Sequence, residues 1–162
     1  MIKKIAFVGK LMAAVGLVCA TGTAGSDNYA GVVCFKDVSS GTLVPNWGTV
    51  YNDSTTNTLT VKCPIVRRNT SSTVTVDLAV LDRHASQDIQ CTFCNEYATG
   101  SGLETSNCDS DSSSGSGAGK KTISINGVTD HVTDEYGYVA CTIPPKSGGS
   151  VSHIVSLRVT EP

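Results

Sequence analysis

The sequence predicts an all-β chain: an antiparallel β-sandwich, jelly-roll-like and about eight strands in size, behind a cleavable N-terminal signal peptide. Three observations carry this. Apolar and polar residues alternate with period two in several segments that are rich in β-branched residues. Turn-forming clusters of Gly, Pro, Ser and Asn separate those segments at short intervals. No segment after the leader sustains a helical period over three turns.

The leader comes first. Residues 1–10 carry Lys3, Lys4 and Lys10 and no acid, residues 11–20 are uncharged, and residues 21–25 are small. This is the order of a secretory signal, with residues 1–24 removed after Ala24 or, as an alternative, after Ala20. The apolar run is shorter than the roughly 20 residues that span a bilayer. A lipid anchor on Cys19 would want Leu three positions earlier; Gly16 stands there and Leu17 is out of register. Residues 25–162 then form one domain, which the export signal places outside the cytoplasm, extracellular or periplasmic.

Cleavage changes the charge. The 162-residue precursor has 12 basic and 14 acidic side chains, a net −2, and loses three lysines with the leader to reach −5. A mildly acidic exported chain has no electrostatic pull towards nucleic acid. With 40% hydrophobic and 6% aromatic residues, it is neither a membrane bundle nor a typical disordered chain.

Strands are expected near 30–37, 47–52, 57–66, 72–82, 88–97, 120–126, 136–143 and 151–160. The clearest is Thr73-Val74-Thr75-Val76-Asp77-Leu78-Ala79-Val80, in which the even positions face inward. Leu59, Val61 and Cys63 alternate with Thr58, Thr60 and Lys62; Ile123 and Ile125 flank Ser124; Val151, Val155, Leu157 and Val159 alternate with Ser152, Ser156, Arg158 and Thr160. Ser39-Ser40-Gly41, Pro45-Asn46, residues 67–71, Pro144-Pro145 and Gly148-Gly149 supply turns. Residues 109–119, Asp-Ser-Asp-Ser-Ser-Ser-Gly-Ser-Gly-Ala-Gly, hold no large apolar side chain and read as a surface loop.

Six cysteines remain after cleavage, and an even number in an exported chain reads as a disulfide framework. Parity narrows the pairing. Cys91 shares the apolar face of Ile89 and Phe93, and Cys141 that of Val139 and Ile143, so both point into the core. Cys94 lies on the other face beside Gln90 and Thr92, with Cys108 as its natural partner. Cys34 and Cys63 remain. The alternative for Cys91-Thr92-Phe93-Cys94, a zinc or redox pair, lacks a second ligand pair and a thioredoxin-like βαβ setting.

Other constellations are thinner. Asp109, Asp111 and Ser113 begin a calcium-loop order, but Ser114 and Lys120 stand where Gly and Glu belong. Hence no metal and no cofactor is expected. His84 reads as a turn residue, His131 as part of a polar turn within Asp130-His131-Val132-Thr133-Asp134-Glu135, and His153 as a half-buried strand residue. No G-x-S-x-G elbow, dinucleotide fingerprint or P-loop is present. The carboxylates Asp77, Asp82, Asp88, Glu96, Glu104, Asp130, Asp134 and Glu135 are all formal candidates for a glycosidase pair, with nothing in the sequence to select among them. Asn52-Asp53-Ser54 and Asn69-Thr70-Ser71 match the N-glycosylation acceptor, which matters only in a eukaryotic route. Trp47, Tyr136 and Tyr138 are the candidate ligand platform, because Tyr136 and Tyr138 share the face opposite Cys141.

The segments Val61-Lys62-Cys63-Pro64, Cys91-Thr92 and Ala140-Cys141-Thr142-Ile143-Pro144-Pro145, followed by a Val-rich closing strand, resemble a group of small exported bacterial proteins without an assigned activity. The resemblance implies a secreted β fold with core disulfides and carries over no catalytic residue. Cys94 and Cys108 are additions to that pattern. The functional expectation is therefore a secreted, non-enzymatic structural or binding protein whose partner is a glycan or another extracellular protein. A carbohydrate-binding module using the exposed aromatics is one alternative, and a small secreted hydrolase is another.

Overall fold

The computed structural model of the chain describes residues 25–67, 73–114, 118–129 and 136–161. The expected signal peptide, Cys19, the Asn69 sequon, Gly115, Gly117 and the cluster around His131 lie outside the described residues. The described residues form eleven strands and one short 3-10 turn, joined by loops: β1 Gly25–Ala30, the turn Gly31–Val33, β2 Phe35–Lys36, β3 Leu43–Asn46, β4 Thr49–Asn52, β5 Leu59–Ile65, β6 Val74–Asp82, β7 Gln90–Thr99, β8 Gly102–Ser112, β9 Gly119–Val128, β10 Tyr136–Ile143 and β11 His153–Glu161.

They form two antiparallel sheets. The first runs β3-β4-β11-β6-β9, with β1 also paired to β11; the second runs β2-β5-β10-β7-β8. Without the short edge pieces, the orders β4-β11-β6-β9 and β5-β10-β7-β8 are those of a jelly roll. β1 and β4 pair with the same strand over different stretches: β4 takes His153 and Ile154, and β1 takes residues 156–161.

Period-two alternation builds the core. Val74, Val76, Leu78 and Val80 from the first sheet meet Leu59, Val61, Phe93, Val139 and Ile143 from the second, all fully buried. Burying such side chains contributes about 1.5–3 kcal/mol each before conformational entropy is counted. Three disulfides staple the sandwich: Cys34–Cys63, Cys91–Cys141 and Cys94–Cys108. Cys91 and Cys141 are register partners on β7 and β10 with side chains in the core, and Cys94 and Cys108 are register partners on β7 and β8.

Four readings of the sequence are corrected. Residues 109–112 are not loop but the end of β8, an eleven-residue strand paired along β7. The strand expected over 30–37 is broken by the turn at Gly31–Val33. Gly31 approaches β11 so closely that a Cβ there would lie 2.2 Å from the Ile154 carbonyl oxygen. β3 forms where only turn signals stood; its Pro45 is tolerated because β3 is an edge strand. In β11 a bulge between Ile154 and Ser156 resets the alternation, so Ser152 and Ile154 point in and Val155 points out.

Two polar hubs tie the layers. Asn52, fully buried, donates from Nδ2 to the carbonyls of Asn57, Ile143 and Pro144 and accepts at Oδ1 from the Thr42 and Ser54 amides. Its burial removes it as a glycosylation acceptor. Asp82 accepts from the hydroxyls of Ser113 and Ser152 and from the His84 amide, joining the ends of β6 and β8 to the approach of β11.

Candidate functional site

The outward face of the second sheet carries the side chains that the core does not use. Pairing sets them in rows. Phe35, Lys62, Ala140, Thr92 and Ser110 stand abreast across β2, β5, β10, β7 and β8. The next row is Pro64, Tyr138, Cys94 and Cys108, followed by Tyr136, Glu96 and Thr105. On the other side lie Thr60, Thr142, Gln90 and Ser112.

The aromatic rows frame a cleft of about 270 Å³, lined by Phe35, Asp37, Lys62, Pro64, Glu96, Tyr136 and Tyr138. Local sequence explains it. Tyr136 and Tyr138 are two apart on β10, hence on one face. Gly137 between them faces inward, and a Cβ there would sit 2.8 Å from Phe93 Cε2, so glycine lets β10 lie close over the Phe93 ring.

Fixed polar contacts orient the cleft. Lys62 Nζ lies 4.7 Å from the centre of the Tyr138 ring, a cation–π contact, and 3.7 Å from Asp37 Oδ2. The Tyr136 hydroxyl donates to Glu96 Oε2. Burial pushes the Tyr138 phenol up to about 12, helped by the Glu96 carboxylate. The hydrogen bond to Glu96 likewise raises the Tyr136 phenol. Both rings are therefore neutral hydroxyl donors at physiological pH.

Two more open depressions continue over the same face. One, of about 420 Å³, is lined by Gln90, Cys91, Thr92, Ser110, Asp111 and Ser112. The other, of about 380 Å³, is lined by Thr58, Gln87, Asp88, Gln90 and Thr142 among others. Their walls are mainly hydroxyls and amides.

The structure brings Tyr136 and Tyr138 together but leaves Trp47 out of their cleft. Trp47 sits at the β3–β4 turn, on the first sheet, and is 98% exposed. The carboxylate candidates scatter. Asp77 lies on the outer face of the first sheet; burial raises its carboxyl, but hydrogen bonds from Arg158 and Ser124 outweigh this and leave it below the usual range. Asp82 is the buried hub, Glu104 accepts from Tyr97 on the β7–β8 hairpin, and Asp88 borders the third depression. Of the candidates among the described residues, only Glu96 enters the aromatic cleft, beside Asp37. Asp130, Asp134 and Glu135 lie outside the described residues. Asp111 spends its carboxylate on the Ser112 and Ser124 amides, and Ser113 turns inward to Asp82. Among the described residues no three His, Cys, Asp or Glu side chains converge on a metal position.

The histidines have local roles. His84 Nδ1 accepts from the Ser86 and Gln87 amides and closes a turn. His153 is partly buried, its ring 5.0 Å from that of Tyr51 and its Nδ1 3.2 Å from Thr49 Oγ1. Burial lowers its pKa, and the nearby Arg83 charge adds to that.

Phe35, Asp37, Lys62 and Pro64 were not singled out from sequence. A signal existed: Phe35 follows an inward cysteine, and Lys62 and Pro64 flank one, so all three must face out. Their convergence on Tyr138 depends on register between strands distant in sequence.

No protein-family model matches the sequence, and no curated protein matches it. Solved structures do share the fold. A low-affinity xylan-binding module, CBM86, from the gut symbiont Roseburia intestinalis aligns over 85% of this chain and 96% of its own, with TM-score 0.50 and 14% identity. The CBM22-2 xylan-binding domain of Paenibacillus barcinonensis Xyn10C aligns over 85% and 99%, with TM-score 0.54 and 13% identity. The chain thus has the β-sandwich architecture seen in carbohydrate-binding modules. No helix among the described residues is long and apolar enough to cross a membrane.

Proposed function

We propose that the chain is an exported, non-catalytic glycan-binding module that grips a neutral polysaccharide on the outer face of its second sheet. The observation that carries this is the cleft itself: two tyrosines and a phenylalanine on one sheet face, with Lys62, Asp37 and Glu96 held in fixed contacts around them. A sugar ring has an apolar C–H face and a rim of hydroxyls. Aromatic faces stack on the first, and oriented charged and amide groups bond to the second. The hydroxyl- and amide-lined depressions beside the cleft suit the same chemistry.

The three disulfides support an oxidising destination. Two sandwiches of this architecture are xylan-binding modules, which makes xylan the first polysaccharide to try. The test is native gel electrophoresis through soluble polysaccharides, xylan among them. Wild-type protein is retarded by at least one, and Tyr138→Ala and Tyr136→Ala lose most of that retardation while melting cooperatively. Retardation unchanged in both variants refutes the assignment of the cleft.

A further inference from the structure

Trp47 is an anomaly of the fold. Trp47 and Gly48 form the two-residue turn of the β3–β4 hairpin, with φ of 48° and 86°. Positive φ at both central positions defines a type I′ turn, which favours Asn, Asp or Gly first. A side chain with a bulky Cβ substituent in the left-handed region is disfavoured. The ring recovers nothing by burial, since it is 98% exposed. The turn is nonetheless held firmly. Thr49 Oγ1 donates to the Asn46 carbonyl at 2.7 Å and meets His153 Nδ1, and the Val32 amide donates to the Gly48 carbonyl at 3.0 Å. A strained, rigid, solvent-facing tryptophan is a presented side chain, and such outliers concentrate at ligand contacts.

Its position relative to the cleft follows from the same hydrogen bond. Val32 touches Gly48, and Phe35 of the cleft lies three residues further on. At no more than ~3.6 Å per residue, the tip of the hairpin is within roughly 14 Å of the Phe35 backbone. Phe35 is itself more than half exposed and stands on β2, the edge strand of the second sheet.

We propose that Trp47 is a second stacking contact for the same polysaccharide, reached by chains that leave the cleft past Phe35 and round the β2–β3 edge. The inference rests on the reading of the cleft as a glycan site. It assigns the protein a preference for long chains over short oligosaccharides.

The probe is soluble xylan in native gels, with xylotriose titrated separately by calorimetry. The informative variant is Trp47→Asn, because Asn suits the left-handed turn and should melt no lower than wild type. Expected is a loss on the order of threefold to tenfold in affinity for polymeric xylan, with xylotriose binding unchanged and with Trp47→Phe retaining most of the polymer affinity. Equal retardation of Trp47→Asn and wild type overturns the inference while leaving the cleft standing. An equal loss on xylotriose also overturns it, by making Trp47 part of the short-chain site. Wild-type protein that xylan does not retard overturns the inference together with the choice of xylan for the cleft.

Discussion

Replacing Asn52 by Ala removes the hub that joins the β2–β3 connection, the loop after β4 and the end of β10. Five hydrogen bonds go at once: three from Nδ2, to the carbonyls of Asn57 at 2.8 Å, Ile143 at 3.2 Å and Pro144 at 3.2 Å, and two to Oδ1, from the amides of Thr42 at 3.1 Å and Ser54 at 3.0 Å. The bonds to Ile143 and Pro144 are buried, whereas the other three reach partly buried groups that water can re-solvate. Leaving a buried polar group without its partner costs about 1–3 kcal/mol. Two such groups, with partial losses at the others, give an expected destabilisation of about 3–4 kcal/mol. For a domain of this length that lowers the melting temperature by roughly 10 °C. The assay is urea and thermal unfolding with disulfides intact, followed by circular dichroism, because a fully exposed Trp47 reports little on core packing. Thr75→Ala, which removes one exposed bond to Asn126, is the control and should stay within about 0.5 kcal/mol of wild type. A loss below about 1 kcal/mol in Asn52→Ala refutes the hub as a principal tie between the layers.

Two further predictions concern protons. The Tyr138 phenol is raised to about 12, chiefly by burial, so the folded state holds its proton more tightly than the unfolded chain. That stability is complete below pH 10 and is lost as pH climbs from 10 through 12. Absorbance at 295 nm should show a late tyrosinate step that shrinks in Tyr138→Phe and shifts down in Glu96→Gln; a step unmoved in Glu96→Gln refutes the Glu96 contact. Burial, with Arg83 behind it, lowers the His153 pKa, so the folded state prefers the neutral ring. Its contribution is fully present above the unfolded value near 6.5 and declines as pH falls below it. Wild type should therefore lose more stability than His153→Gln between pH 7.5 and 5, and parallel pH profiles count against the account.

The inward and outward faces of β5, β6, β7 and β10 were legible because period-two alternation is a local property of the chain. The same parity reached the pairing of Cys91 with Cys141 and of Cys94 with Cys108, since it sorted the cysteines by face. β8 was not legible. Its sequence, Gly-Leu-Glu-Thr-Ser-Asn-Cys-Asp-Ser-Asp-Ser, has Leu103 as its one large apolar residue, and that residue is exposed. The ladder to β7 and the Cys94–Cys108 bridge hold it, and both are tertiary. The bulge in β11 was equally hidden, because Val151 and Val155 continue an apolar pattern that the backbone abandons. Tyr136 and Tyr138 could be placed on one outward face from spacing alone. That Lys62, Pro64 and Phe35 join them, and that Trp47 does not line their cleft, depends on strand order.

The central claim is that a glycan occupies the cleft over Tyr138. Amide chemical-shift mapping with a xylan oligosaccharide tests it most directly. The account predicts saturable shifts clustered at Phe35, Lys62, Glu96, Tyr136 and Tyr138 on the second sheet. Shifts confined to the opposite face, around Asp77 and Arg158, contradict it.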